Sequence, residues 1–346
     1  MSHQTSVFQV SACQTQVTFN EFFSGPVDQI IFPCTTTQIT FNNYFNHYVD
    51  NLKLPETLEK LTFGSHFNQP IKKLKLPESL KYLEFGQFFN QNVDELKLPA
   101  SLEILFFGTH FDQPIKNLGL PKSLKTLDFG WAFNQSLDDI HLPDSLEQLH
   151  FGCLFNQPIV NVRFPKSLKR LWLEDEFNQS IENISFPDTI EAMNFGRAFN
   201  GSVKNVRFPK SLKRFMFGYQ FNQPIDDLIL PEGLESLSFA GYFNHSVKNL
   251  VLPNSLKYLS LGHGFNQPID DLRLPESLTE LNLGYSFNQP IKQLKFPKSI
   301  EYLHLGYTFN HEIDHLDIPS SIIKISVGPL FNQKAGGHSD ALVVDI

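Results

Sequence analysis

Residues Leu58–Pro77 read LEKLTFGSHFNQPIKKLKLP, and the same string returns every 22 residues through almost the whole chain. Phenylalanine occupies all 15 positions of that step from Phe23 to Phe331, and Asn follows it in 13, the exceptions being Ser24 and Asp112. Proline keeps the step at all 14 positions from Pro33 to Pro319. A fixed period of about 20–30 residues marks a solenoid, whose coils bury their apolar faces only against their neighbours. Within the string, Leu61 and Phe63 alternate with Lys60 and Thr62, and Leu74 and Leu76 alternate with Lys73 and Lys75. Each alternation predicts a short half-buried strand. A glycine such as Gly64 follows the first, where a bend costs least without a Cβ. From Gly64 to Gly328 it gives way only to Glu174 and Ala240. Pro77 closes the second stretch, having no N–H for a ladder. The hydroxyl two residues on (Ser79, Ser101, Ser123) is expected to fix the turn through nearby backbone. No room remains for a useful helix, so the back of each coil is expected to be extended or irregular.

The unbroken period makes one elongated domain of the 346 residues, against the two or three that length alone would suggest. Charged residues are 18% and the net charge is −8, which gives no reason to expect a nucleic-acid partner. No apolar run approaches a membrane span, and the start MSHQTSVFQV lacks the pattern of a secretory signal. Cys13, Cys34 and Cys153 are odd in number and lack metal spacing, which suits reduced thiols in a cytosol-like compartment.

Stacking puts like residues on like. The Phe23-to-Phe331 column becomes an aromatic spine, and a second column runs through Phe19, Phe41, Phe63 and Phe85. Each buried ring contributes on the order of 2–3 kcal/mol before chain entropy is counted. The Asn column beside the spine is expected to satisfy backbone groups of the adjoining coil. Charge repeats with a doubled period: Glu59, Lys81, Glu103, Lys125 at one phase, and Asp50, Lys72, Asp94, Lys116 at another. Opposite signs should therefore meet on successive coils and oppose a slip by one coil.

The pattern LxxLxFGxxFNQPIxxLxLPxS resembles the FNIP/FGxxFN leucine-rich repeat family, best known from social amoebae and giant DNA viruses. Leu58, Leu61, Phe63, Gly64, Phe67, Asn68, Gln69, Pro70, Ile71, Leu74, Leu76 and Pro77 match it as they stand. The resemblance implies a β-rich solenoid: a leucine-rich-repeat-like arc of about 14–15 coils. It has a parallel sheet on the concave face, an extended or irregular back, and little or no helix. In the usual pattern LxxLxLxxNxL the Asn would fall at His66. Here it falls at Asn68, so its role must be relocated. Many family members carry an N-terminal F-box. The periodicity reaches back to Phe8 and Val10, so none is expected in front, nor an adaptor role in ubiquitin ligation. Residues 1–22 are expected to form an N-terminal cap with a degenerate partial repeat, 23–333 the solenoid, and 334–346 a tail or capping strand. That tail covers the last coil or pairs with a second chain.

Candidate sites must break the period. His311-Glu312-Ile313-Asp314-His315 matches HExxH, but zinc-protease chemistry needs a helix, and Ile313 and Leu316 fall on core positions. Asn134, Asn178, Asn183, Asn200 and Asn244 begin glycosylation sequons, four of them on ladder asparagines; without a secretory signal, glycosylation is not expected. The outward positions of the first strand vary and carry large apolar and Arg residues: Tyr82, Ile104, Phe106, His150, Arg170, Trp172, Arg214, Met216 and Tyr258, then Tyr302 and His304. Such residues outside a core are what a protein-binding face uses. They also simply suit strands. A second variable column, beside each spine Phe, holds Phe88, Trp131, Tyr219, Tyr242, Tyr285 and Tyr307. No catalytic set, phosphate loop or metal cluster interrupts the repetition. The expectation is a non-enzymatic scaffold without cofactor or metal, in the cytoplasm (the host's, if the chain is viral). It engages an unidentified protein, and not nucleic acid or membrane. A structural component that self-associates as a homodimer is the alternative.

Overall fold

The computed structural model describes residues 8–10, 15–23, 25–333 and 341–344. The chain divides into two compact units, residues 1–174 and 175–346. The first holds β1 (Phe8–Val10), β2 (Gln16–Phe19), β3 (Gln38–Thr40), β4 (Lys60–Thr62), β5 (Tyr82–Glu84), β6 (Ile104–Phe106), β7 (Thr126–Asp128), β8 (Gln148–His150) and β9 (Arg170–Trp172). The second holds β10 (Ala192–Asn194), β11 (Arg214–Met216), β12 (Ser236–Ser238), β13 (Tyr258–Ser260), β14 (Glu280–Asn282), β15 (Tyr302–Gly306), β16 (Lys324–Val327) and β17 (Leu342–Val344). From β2 to β9, and from β10 to β16, each strand pairs in parallel with the next, 22 residues on, as in Leu61↔Leu83 and Leu237↔Leu259. β1 lies antiparallel on β2, with Phe8 opposite Phe19, and β17 adds in parallel to β16, with Ser326 opposite Val343. The repeats therefore form a parallel β-solenoid, without α-helix among the described residues.

Each coil holds one strand, not two. The second alternating stretch keeps its burial pattern, Leu74 inside and Lys75 outside, but joins no ladder. Three i→i+3 turns replace it. Phe67 N–H donates to Gly64 C=O (3.0 Å), Leu74 to Ile71 (3.0 Å) and Leu80 to Pro77 (3.1 Å). Spine centroids stand 5.9 Å apart at Phe45–Phe67 and 6.2 Å at Phe133–Phe155 in the first unit, and 6.0–6.3 Å from Phe243 to Phe331 in the second. Paired strands sit about 4.8 Å apart. The spine rings thus stand wider apart than paired strands in both units, and the N–H groups of Leu74 and Leu80 are spent on turns within their own coil rather than on a ladder.

The spine rings are fully buried, as at Phe67, Phe89, Phe199 and Phe221. Where the second column carries Phe, the spine ring packs on it within the coil, Phe63–Phe67 at 4.1 Å and Phe217–Phe221 at 4.2 Å; Leu or Val takes that place beside Phe177, Phe265, Phe287, Phe309 and Phe331. The ladder Asn works across coils. Asn68 Oδ1 accepts the N–H of Asn90 and Nε2 of Gln91, both at 2.9 Å. Asp112 does the same for Asn134 (2.9 Å) and Gln135 (2.8 Å), because the task needs only an acceptor. The turn hydroxyl reaches further than its own turn: Ser79 Oγ donates to Leu58 C=O at 2.6 Å and Ser101 to Leu80 at 2.7 Å, in the preceding coil. The glycine column answers to φ, positive at Gly130, Gly196, Gly262, Gly284 and Gly306, and to close approach. A Cβ at Gly86 would collide with the carbonyl of Gly64, and one at Gly218 with that of Gly196.

Of the charge columns, the first pairs straight across: Lys81–Glu59 (2.9 Å), Lys125–Glu103 (2.7 Å) and Lys257–Glu235 (3.0 Å). The second pairs on the diagonal. Lys72 meets Glu95, Lys116 meets Asp139 (3.1 Å) and Lys248 meets Asp271 (3.4 Å), each 23 residues on rather than 22.

Candidate interaction face

On most coils the strand buries its middle residue and turns its first and third outward, as in β6, where only Leu105 is buried; in β13 and β16 the third position, Ser260 and Ser326, is buried as well. In the first unit, parallel register lines up Lys60, Tyr82, Ile104, Thr126, Gln148 and Arg170 in one row. Glu84, Phe106, Asp128, His150 and Trp172 form the other.

These side chains hold one another. Lys60 Nζ stands 4.2 Å from the Tyr82 ring centroid, and the Tyr82 hydroxyl donates to Glu84 Oε2 at 2.7 Å. Burial, reinforced by that hydrogen bond and by the Glu84 charge, pushes the Tyr82 phenol far above its usual range, so it stays a donor. Tyr82 meets Phe106 edge-on at 5.6 Å. Further along, His150 lies 4.9 Å from Trp172, whose ring also faces the Arg170 guanidinium at 5.9 Å. Burial holds the His150 imidazole below its ordinary pKa; Asp128 opposes this and Arg170 adds to it. Asp128, between the two clusters, accepts the Gly130 N–H at 2.8 Å. The outcome is a row of half-exposed rings, each braced by a neighbouring coil.

The structure thus gathers Tyr82, Ile104 and Phe106 in one cluster and His150, Arg170 and Trp172 in another. It does not gather the candidates of the second unit. Arg214 and Tyr258 share a row with Ser236 between them, and Met216 is followed by Ser238 and Ser260. His304 lies 3.5 Å from Glu280 and is otherwise set among Ser and Asn. Sequence reasoning missed Lys60, Glu84 and Asp128, the polar partners of the rings. Their outward phase was the available signal; their residue types carried none.

The column beside the spine is exposed, and it stacks locally. One residue before the spine Phe, Tyr44, His66, Phe88 and His110 follow one another at 5.5, 5.1 and 4.8 Å; two residues before it, Tyr285 lies 4.5 Å from Tyr307. His311–His315 crosses a turn rather than a helix, with the His311 ring against Asn288 C=O (3.0 Å). Among the described residues no His, Cys, Asp and Glu side chains group as a metal site, and no helix is long and apolar enough to cross a membrane.

The family model described as FNIP Repeat matches residues 67–110, 111–154, 155–198, 199–242, 221–264 and 265–308. No curated protein matches the chain in sequence. Among solved structures, the chain is similar to CroV588, of the giant virus CroV, described as a novel circular LRR protein. The two are 35% identical over 95% of this chain and 56% of that one, with a TM-score of 0.73, so this chain spans about half of that protein's length. YopM from Yersinia enterocolitica (21% identity, 85% of this chain and 73% of that one, TM-score 0.51) shares the fold. So does an internalin from Listeria monocytogenes (15%, 86% and 87%, TM-score 0.56).

Proposed function

This chain belongs to the FNIP repeat family, and we propose that it is a non-enzymatic scaffold that binds another protein through the outward strand face of its first unit. The observation that carries the reading is the braced row from Lys60 to Trp172. Rings already held by cation–π, edge-on and hydrogen-bonded contacts lose little side-chain entropy on binding, and large aromatic and Arg side chains are where interface energy concentrates. The outward residues of successive strands lie in parallel register, so neighbouring ones can touch one partner together. The compartment is proposed to be cytoplasmic.

A second reading, self-association through the chain's end, draws on β17. That strand adds to β16 and leaves Val343 and Val344 half-exposed.

The test is to identify partners by proximity labelling in the native setting. The best is then titrated against wild type and the Phe106→Ala/Trp172→Ala double variant, with solution mass followed in parallel. Lost affinity at unchanged mass supports the scaffold. Unchanged affinity sinks it. A mass that falls when residues 334–346 are removed supports self-association.

A further inference from the structure

In the second unit an open depression of about 510 Å³ lies beside the asparagine ladder, lined by Asn200, Gln220, Asn222, Tyr242, Asn244 and Gly264. We propose that it is a binding site for a neutral oligosaccharide.

The ladder decides which atoms face the ligand. Asn200 Oδ1 accepts the N–H of Asn222 (2.8 Å) and Nε2 of Gln223 (3.1 Å). Asn222 Oδ1 accepts the N–H of Asn244 (3.0 Å), and Asn244 Oδ1 accepts the N–H of Asn266 (2.9 Å) and Nε2 of Gln267 (3.1 Å). None of these amides can flip, because a flip would set NH₂ against N–H. Every carbonyl end is therefore spent inside the protein. Among the described residues these side chains bond only as acceptors, which leaves the Nδ2 groups of Asn200, Asn222 and Asn244 without a partner there, and Asn222 and Asn244 are exposed. Three successive coils thus present a row of donors.

The notch has a local cause. In the first unit the equivalent column is filled by His66, Phe88 and His110; here one coil carries Gly264. Its absent side chain leaves the Tyr242 ring standing as a wall, 59% exposed. Tyr242 is steadied edge-on by Tyr219 at 5.1 Å, and Tyr219 lies under the Arg197 guanidinium at 5.9 Å.

Chemistry selects the occupant. No charged side chain lines the depression, which argues against an anion. An extended peptide alternates N–H and C=O along its edge, so a donor-only row satisfies half of it. A sugar hydroxyl offers two acceptor lone pairs and a rotatable donor. It can take the Asn Nδ2 protons and return one to the Gln220 amide oxygen or the Tyr242 hydroxyl, while a C–H face lies on the ring. The volume is within the range of small-ligand sites, roughly 300–1,000 Å³.

The labelled full chain is applied to an array of neutral hexose, pentose and N-acetylhexosamine glycans. A retained glycan is then titrated while the Asn side-chain amide resonances are followed by NMR. The expected result is shifts at Asn222 and Asn244 that do not weaken with added salt. Asn222→Asp and Asn244→Asp should each lower affinity about tenfold or more. Both should keep the thermal midpoint, since Asp112 already fills a ladder rung with an acceptor alone. Tyr242→Ala, removing the exposed wall, should lose binding and remain informative if an Asp variant folds poorly; Gly264→Leu should lose it too, read with the thermal midpoint because its Cβ would press on Tyr242 Cα at 3.2 Å. The proposal is overturned by an array that retains nothing. It is also overturned by affinity that survives all four variants, by a salt-sensitive response to inorganic phosphate, or by an extended neutral peptide that shifts these resonances when no glycan does.

Discussion

Residues 60–172 and residues 192–304 run the same coil, with the same spine, ladder and turns, yet their outward strand positions differ. The first stretch sets Tyr82, Phe106 and Trp172 among Lys60, Glu84, Arg170 and His150, in contact with one another. The second spaces its large residues with Ser236, Ser238, Ser260 and Asn282. Moreover, Asn194 and Asn282 spend their side chains on the next glycine's N–H, at 2.9 Å each. The buried columns vary only among apolar residues, Phe giving way to Leu173, Leu261, Leu283, Leu305 and Val327 in the second column, because each is packed by the coils on either side. The outward columns are free of that constraint, so differences between stretches there carry information about use.

The largest expected effect would break the claim that the two interiors are equivalent. Phe89→Ala and Phe221→Ala should each cost about 3–5 kcal/mol in denaturant unfolding. A cost confined to one of them would show that the spine is not a uniform core. Next comes the contrast between faces. Phe106→Ala with Trp172→Ala should weaken partner binding by about 2 kcal/mol or more, roughly 30-fold. Ser238→Ala with Asn282→Ala should leave it unchanged. Equal losses would erase the distinction. The ladder offers a finer test: Asp112→Asn should be nearly neutral. Asp112→Leu should cost about 1–3 kcal/mol by leaving the Asn134 N–H and Gln135 amide unpaired, as judged from thermal midpoints. Lys81→Gln should cost under about 1 kcal/mol, with the difference vanishing at high salt, because the Glu59 pair is exposed.

The smallest effect is a pH dependence specific to the first unit. The folded chain keeps His150 neutral below its ordinary pKa, so the unfolded chain takes up the proton first as pH falls. Stability should therefore be intact above the ordinary histidine value and decline as pH drops through it toward the folded pKa. His150→Gln should flatten that decline in a pH series of unfolding curves. A steeper decline in the variant would contradict the assignment.

Much of the fold was legible before any coordinates. The spine, the second Phe column and the ladder follow from the 22-residue step, since every interior coil meets the same surroundings. Reading Lys73–Leu76 as a strand was a different matter. Alternation reports which side chains are buried, whereas a ladder also needs free N–H groups facing the next coil about 4.8 Å away, and here Leu74 spends its N–H on a turn to Ile71. Glycine was expected for its turn. Gly130, Gly196, Gly262, Gly284 and Gly306 do take positive φ there, and in addition the preceding coil's carbonyl occupies the space of the Cβ, a contact between residues 22 apart that no local pattern contains. The column of Lys72 and Lys116 was expected to pair straight across, but the nearer carboxylates lie on the diagonal at Glu95 and Asp139.

By itself, the sequence determined the coil length, the contents of the core and the parallel stacking, because burial and period are properties of residue order. Only the tertiary structure decided which outward residues touch. It set Lys60 over Tyr82, kept Met216 apart from Tyr258, and left a notch at Gly264 beside amides whose carbonyls are already spent. Those outcomes depend on distances between coils and on which atoms a neighbouring coil has claimed, and neither is written in the order of residues along one coil.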